Sequence, residues 1–320
     1  MNIYFLSIRK RIRALPVLGF ALSISYGIFR KLRGDPRLLV QAMLGLHLRF
    51  IAKFLRKYSL VGGVITSTGE YYLRMHDDIF LYYNYSIPSL TIGDGQGLES
   101  LDTQFKSPLE EFVISFMKEN EVYLDVGANS GYYFALKVAQ SNAHAKIFAF
   151  EPDPKILFHL RKNIQINNAK SITLFEMALG DTCGSFPMTA ELGASNFLVA
   201  QTGLISNTIK VDVQTLDVFA KKCEIDRIDL IKVDIEGREF DFLKGATVSI
   251  SEFRPVLILE LNDSLLQRGG SSLSQVLTHL YSKKYYCYRV KNSNDALCFP
   301  SEKLEQFFPK NSVEWLEELK

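Results

Sequence analysis

The chain has 320 residues, is 47% hydrophobic and carries a formal net charge of +2. A chain of that size builds one large domain, or one domain with an appendage. Its four cysteines, Cys183, Cys223, Cys287 and Cys298, are scattered without a C-x-x-C pair, which excludes an evident zinc site or disulfide framework and points to a reducing, cytoplasmic setting.

The charge is unevenly spread. Residues 1–60 hold twelve Lys and Arg against one acid, Asp35, a local +11, so the other 260 residues carry 2 − 11 = −9. The uncharged run 14–29, ALPVLGFALSISYGIF, has 16 residues between RKRIR and RKLR, short of the roughly 20 that span a bilayer. It resembles a signal peptide, but no small-residue cleavage site follows and basic residues resume at once. Residues 36–58 read as an amphipathic helix, with Arg49, Lys53, Arg56 and Lys57 on one face. Two readings stand: a docked helix with a solvated basic face, and a helix held peripherally on an anionic inner membrane surface.

Residues 61–104 form a second segment. GGVITSTGEYYLRM and DIFLYYNYSIPSLTI are β-rich, with turn signals at Thr68-Gly69 and Asp77-Asp78, as in hairpins. GDGQG (93–97) reads as a loop. Within this segment His76 falls at a turn, and the tyrosines of YYNYS (82–86) read as hairpin packing or, in a sharper reading, as an aromatic sugar platform.

The third segment, 105–320, is regular. SPLEEFVISFMKEN opens a helix. EVYLDVG, AKIFAFEP, ITLFEMALG, IDLIKVDIEG and PVLILELN read as strands. YYFALKVAQS, PKILFHLRKNIQIN, REFDFLKGATVSI and LSQVLTHLYSKK read as the helices between them. Such alternation predicts a parallel sheet covered on both faces. YYCYRVK and DALCFP, joined by NSN, predict an antiparallel final pair.

In open α/β sheets, ligands bind beyond the carboxyl ends of the strands. Asp125, Gly127, Asn129 and Gly131 sit at such an end, in DVGANSG. A dinucleotide turn wants G-x-G-x-x-G; here Asn129 stands at the middle glycine's place, and no phosphate-cradling G-x-x-x-x-G-K-[ST] is present. Glu151 ends the next strand, 24 positions after Gly127, where an acid accepts hydrogen bonds from ribose hydroxyls. Two neighbouring strand ends thus outline a nucleoside pocket.

DVGANSGYY, FEPDP, ALGD, VDVQTLDVF, IDLIKVDIEGREFDFLKGA and PVLILELN, in that order, resemble the FkbM-type S-adenosylmethionine-dependent methyltransferases over roughly 105–300. The resemblance implies a class I methyltransferase (Rossmann-like) α/β fold with seven mostly parallel strands, the last antiparallel. It also implies O-methylation of a sugar or natural-product hydroxyl. Asp125, Gly127, Asn129 and Gly131 would cradle the methionine part of S-adenosylmethionine, Glu151 its ribose, and Ala178 and Leu179 would lie against adenine. The family's K-[IV]-D-[IV]-E-G-x-E stands here as Lys232 to Glu239, with Arg238 a mild departure, and it would face the transferred methyl.

A sugar hydroxyl has a high pKa, so a proton acceptor in line with the methyl helps. Asp234 and Glu236 are the candidates by motif, both at the strand mouth if the chain there is extended. Glu260 and Asn262 at the end of the fifth strand lie next door. Such oxygens suit Mg²⁺, but spacing fixes no coordination geometry, and no metal is assigned. Glu239 reads as an exposed helix residue and His159 as a surface or packing residue. Two other functions compete. The basic first 60 residues suggest an RNA methyltransferase, against which stand D-I-E-G in place of an N-P-P-Y-like motif and the lack of a recognisable RNA module, so no nucleic acid is expected. A non-catalytic nucleoside-binding protein is the other.

Overall fold

The computed structural model describes residues 62–65, 71–75, 78–82, 108–190, 196–199, 207–307 and 314–319. The chain divides into two compact units, Met1–Gly62 and Gly63–Lys320. The apolar run 14–29, the basic helix 36–58, His76, Tyr83, Tyr85, the GDGQG loop and the boundary near 104 lie outside the described residues. Among the described residues no helix is long and apolar enough to cross a membrane.

Strands β1 (Gly62–Ile65), β2 (Tyr71–Arg74) and β3 (Phe80–Tyr82) form a small sheet in that order. β2 pairs antiparallel with β3, as in a hairpin. Asp78 takes a left-handed φ of 63° and its N–H donates to Met75 O, a conformation that Asp tolerates better than most residues.

The second unit is built on an eight-stranded sheet. In chain order its elements are α1 (Pro108–Phe116), β4 (Val122–Val126), α2 (Ala135–Ser141), β5 (Lys146–Phe150), α3 (Pro154–Ile166), β6 (Ile172–Phe175), β7 (Ala178–Leu179), β8 (Gly184–Thr189), β9 (Thr208–Gln214), α4 (Leu216–Lys222), β10 (Leu230–Val233), α5 (Glu239–Gly245), α6 (Thr247–Phe253), β11 (Val256–Glu260), α7 (Asp263–Arg268), α8 (Leu273–Ser282), β12 (Tyr285–Val290), β13 (Asp295–Pro300), α9 (Ser301–Phe307) and β14 (Leu316–Glu318). The sheet order is β14-β12-β13-β11-β10-β4-β5-β6. From β11 to β6 the strands are parallel; β13 runs antiparallel to β11 and β12 antiparallel to β13. β4 and β10 are buried at every position, as expected of parallel strands covered on both faces.

Three sequence expectations change. The sheet has eight strands instead of seven, because Leu316–Glu318 adds antiparallel to β12; a three-residue strand leaves too short a pattern to read. ITLFEMALG is two strands in two sheets: β6 edges the main sheet, and β7 pairs with β9 in a separate sheet ordered β7-β9-β8. REFDFLKGATVSI is two helices, broken at Ala246. Asp217 of α4 caps the second, its carboxylate accepting from the N–H groups of Val248 and Ser249 at 3.0 and 2.7 Å.

Contact among Phe150, Phe175 and Phe219 ties β5, β6 and α4 together. Phe150 stacks on Phe175 at 5.2 Å, and Phe219 meets both edge-on at 4.9 and 4.7 Å, favourable aromatic geometries. On the other side of β5, α3 starts where Asp153 accepts from Lys155 N at 2.7 Å with Pro154 at the first helical position. Its inner residue Asn163 and its C-cap Asn167 hold β3. Asn163 Oδ1 accepts from Tyr82 N at 2.6 Å, and Asn167 exchanges two bonds with the backbone of Phe80 at 2.7 and 2.6 Å. The Asn163 amide also donates to Ser130 O at 2.8 Å. His159 of the same helix is buried against Tyr82, ring centroids 5.1 Å apart, and burial lowers its pKa.

Asn163 is 1% exposed, and its loss removes its bonds to two backbone groups, Tyr82 N and Ser130 O. Asn163→Ala is expected to destabilise the fold by about 1–3 kcal/mol, read as a lower urea midpoint. An unchanged midpoint would show that β3 is held by its other contacts.

Candidate active site

A cleft opens over the carboxyl ends of β4, β5 and β10. Its floor is the turn after β4. Gly127 has φ +80° and Gly131 φ +78°, and Asn129 between them also has a positive φ of 52°. At Gly127 the need for glycine is steric as well: a Cβ there would lie 2.0 Å from Asp234 O. The turn is pinned to the next strand, with the N–H groups of Gly127 and Ala128 both 3.0 Å from Phe150 O.

Glu151, 5% exposed, closes this side. Its Oε2 accepts from Asn129 N at 3.1 Å and its Oε1 from Asp153 N at 2.9 Å. Burial pushes its carboxyl up to about 7, against the pull of those two N–H groups. Each carboxylate oxygen retains acceptor capacity beyond its one backbone bond. Ala178 and Leu179 of β7 line the cleft beyond it with Met177, Met188, Phe197 and Leu198, an apolar slot suited to a flat ring. Asn196 fastens that wall: its amide donates to Asp153 Oδ2 at 2.5 Å while its oxygen accepts from Thr189 Oγ1 at 3.1 Å.

The opposite wall is charged. Asp125 on β4 and Lys232 on β10 are register partners. The Lys232 ammonium lies 3.0 Å from Asp234 Oδ2 and 4.0 Å from Asp125 Oδ1. Burial alone lowers the Lys232 pKa, but Asp234 and Asp125 outweigh it and hold the ammonium above its ordinary value. Burial raises Asp125, Lys232 opposes this, and Asp234 adds to it. Asp234, with 39% of its side chain exposed, faces the cleft. Tyr133, 41% exposed, also lines it.

The chain after Asp234 is not extended. Glu236 and Gly237 both take positive φ, 61° and 99°, and a Cβ on Gly237 would stand 2.1 Å from Leu265 O. The bend turns Glu236 toward Arg268, whose guanidinium is 3.6 Å from Glu236 Oε2 and donates to Glu236 O at 2.8 Å. Asp234 and Glu236 both line the cleft, while Glu260 at the end of β11 does not. Glu260 stands behind, its carboxyl pushed up to about 9 by burial and then by Asp234, Glu236 and Glu239. Asn262 is not part of this group: its Oδ1 caps α7, accepting from Ser264 N and Leu265 N. Among the described residues no group of three or more His, Cys, Asp or Glu is arranged to hold a metal ion.

Glu239 corrects the expectation of an exposed residue. It is fully buried, and its Oε1 accepts from Ile235 N at 3.0 Å and Gly237 N at 3.2 Å. It begins α5 and reaches back to satisfy the bend, as first-turn acids do. The sequence showed its place in the motif but not this inward turn. Lys232, Tyr133, Asn196 and Arg268 received no role from the sequence; the motif spelling K-V-D was the one signal that could have singled out Lys232.

The parallel order β11-β10-β4-β5-β6, extended by antiparallel β13 and its neighbour β12 under a cleft of this construction, defines a class I methyltransferase. The family model of the FkbM methyltransferase domain matches residues 125–290, more than half of the chain, and the protein belongs to the FkbM methyltransferase family. It is 27% identical over 181 residues to the 2-O-methyltransferase NoeI of Sinorhizobium fredii, covering 52% of this chain and 73% of that one. It is 27% identical over 143 residues to the hexuronic acid methyltransferase AglP of Haloferax volcanii, covering 44% and 56%. A crystal structure of an FkbM methyltransferase from Methylobacillus flagellatus aligns with a TM-score of 0.41 at 20% identity, covering 63% of this chain and 52% of that one.

The buried carboxyls set a pH dependence of stability. Burial raises Glu239 to about 7, opposed by the backbone N–H groups and assisted by Asp234; an unfolded Glu titrates near 4.3. Between roughly pH 4.5 and pH 7 the folded chain keeps a proton that the unfolded chain has lost, so stability falls as pH rises through that window. The expected change is up to about 3 kcal/mol for this one group, with Glu151 adding in the same direction. Glu239→Gln keeps the acceptor oxygen without the charge, and its melting temperature should vary less between pH 5 and 8. Equal slopes in the two proteins would remove Glu239 from the titration.

Proposed function

We propose that the protein is an S-adenosylmethionine-dependent O-methyltransferase whose acceptor is a hydroxyl of a sugar or a small-molecule natural product. The observation that carries this reading is one cleft with two unlike walls: Glu151 and an apolar slot on one side, and the cleft-facing carboxylate of Asp234 on the other. The names of the two curated relatives, a 2-O-methyltransferase and a hexuronic acid methyltransferase, support the acceptor class.

The cofactor suits the residues present. The Gly127–Gly131 turn leaves backbone uncovered for the methionine part, Glu151 has lone pairs for ribose hydroxyls, and Ala178 and Leu179 offer an apolar contact for adenine. When bound, S-adenosylmethionine supplies a methyl group already activated on a sulfonium. The chain's own work is then alignment and proton removal. Asp234 takes the acceptor's hydroxyl proton. Glu260 stands behind it at the end of β11. Glu236, fixed by Arg268, borders the acceptor's place.

Two measurements check this reading. Ribose hydroxyls that donate to Glu151 favour its charged form. Because its carboxyl sits at about 7 in the free protein, binding should release a proton, and affinity for S-adenosylhomocysteine should rise between pH 6 and 8. Calorimetry with Glu151→Gln should show weaker binding by about 1–3 kcal/mol and little pH dependence; binding of NAD instead, or unaltered affinity in the variant, would sink the cofactor assignment. Methyl transfer from radiolabelled S-adenosylmethionine to a panel of hexoses and hexuronic acids should fall about 100-fold or more in Asp234→Asn, with S-adenosylhomocysteine still bound. A variant that turns over normally would place the base elsewhere.

A further inference from the structure

Lys232 is a charged residue on a strand that is otherwise apolar and buried throughout. Its side chain is 7% exposed, and the face of Phe134 covers its ammonium at 5.8 Å. A buried ammonium is held only where carboxylates offset its lost hydration, and a well-packed apolar residue often serves stability as well or better. The charge therefore calls for a reason beyond packing. Its two partners differ in the way that supplies one. Asp125 is buried and belongs to the strand that carries the glycine turn, whereas Asp234 faces the cleft. A bond to one oxygen of Asp234 fixes that carboxylate and leaves the other oxygen acceptor sites for a second partner.

We propose that Lys232 is a positioning residue for methyl transfer: tethered to β4 through Asp125, its ammonium holds the Asp234 carboxylate in place at the edge of the cleft. This rests on the reading of Asp234 as the group that takes the acceptor's proton.

The surroundings of Asp234 show why a cation is needed there. Asp125 from β4, Glu239 from α5, Glu260 from β11 and Asp295 from β13 all act on it or are acted on by it, and Glu236 follows in its own loop. Tyr123 and Tyr133 add phenols whose pKa values are raised by burial first and by Asp234 in addition. Among the described residues Lys232 is the cation that touches Asp234; Arg268 reaches Glu236, and Arg289 acts on Asp295. Without the ammonium the crowded carboxyls repel one another, which favours placing a proton on one of them.

The test compares the full chain with Lys232→Met and Lys232→Arg. The first readout needs no acceptor: the side-chain carboxyl carbon of Asp234, followed by NMR at a single pH, should change its chemical shift and broaden in Lys232→Met, as a carboxylate released from its partner does. The second is methyl transfer to the best member of the hexose and hexuronic acid panel. Lys232→Met should lower kcat at least about tenfold, with the dissociation constant for S-adenosylhomocysteine within about threefold. Lys232→Arg keeps the charge but shifts the donors, so its rate should fall between the two. An unchanged Asp234 signal with normal kcat in Lys232→Met overturns the proposal. A loss of S-adenosylhomocysteine binding as large as the loss of rate also overturns it, and assigns Lys232 to the cofactor cradle. Should Lys232→Met fail to fold, Lys232→Arg decides, a wild-type rate counting against the proposal. Asp234→Asn separates the two layers: full activity there refutes the base itself, whereas an inactive Asp234→Asn beside a fully active Lys232→Met refutes only the role of Lys232.

Discussion

The ammonium of Lys232 between Asp125 and Asp234 is the interaction on which the active-site wall depends. It joins β4 to β10 across their register, at the point where both strands stop and both loops begin. Burying an ion of either sign is costly by several kcal/mol, and the attraction between them recovers this only with close geometry. At 3.0 and 4.0 Å the arrangement is asymmetric. The tight contact goes to the carboxylate that faces solvent, which loses less hydration by pairing; the loose one goes to the carboxylate that is wholly enclosed.

That asymmetry extends to the loops. After β4 the chain turns over Gly127, whose missing Cβ is what lets Asp234 O approach. After β10 it bends through Glu236 and Gly237, and Glu239 absorbs the N–H groups that the bend exposes. The two loops that border the cleft are therefore held by backbone contacts, by Glu151 in the first and, in the second, by Glu239, which does not line the cleft. Positive φ at Glu236 is an uncommon conformation for a side chain of that size, and it sits where the structure has most reason to fix an angle.

Much of this was legible in the sequence because it is local. The strand-turn-helix pattern at 122–141, the acid at 151 and the Lys232–Glu239 motif depend on neighbours within a few residues or on a fixed strand alternation, and the strands appear where that alternation puts them. The misses are long-range. Asp217 caps a helix more than thirty residues downstream. β14 exists only because β12 offers an edge. The split of ITLFEMALG follows from β9, which arrives later in the chain and pairs β7 away from the main sheet. Glu239 was read as exposed because helix periodicity cannot show that an acid turns inward to serve the backbone before it. Asp234 and Glu236 were placed together on the assumption of an extended chain, and a left-handed residue replaced it.

The asparagines of α3 have a further consequence. Phe80 and Tyr82 are two residues apart on β3, a rise of about 6.7 Å; Asn167 and Asn163 are four apart on the helix, a rise of about 6 Å. The two repeats are nearly commensurate, so a row of side-chain amides can answer a row of strand backbone groups as another strand would. Among the described strands β3 ends the order β1-β2-β3, and a strand edge is the kind of surface on which foreign strands stack. Here a helix plays the part of a neighbouring strand, covering with two side-chain amides the backbone groups that would otherwise invite one.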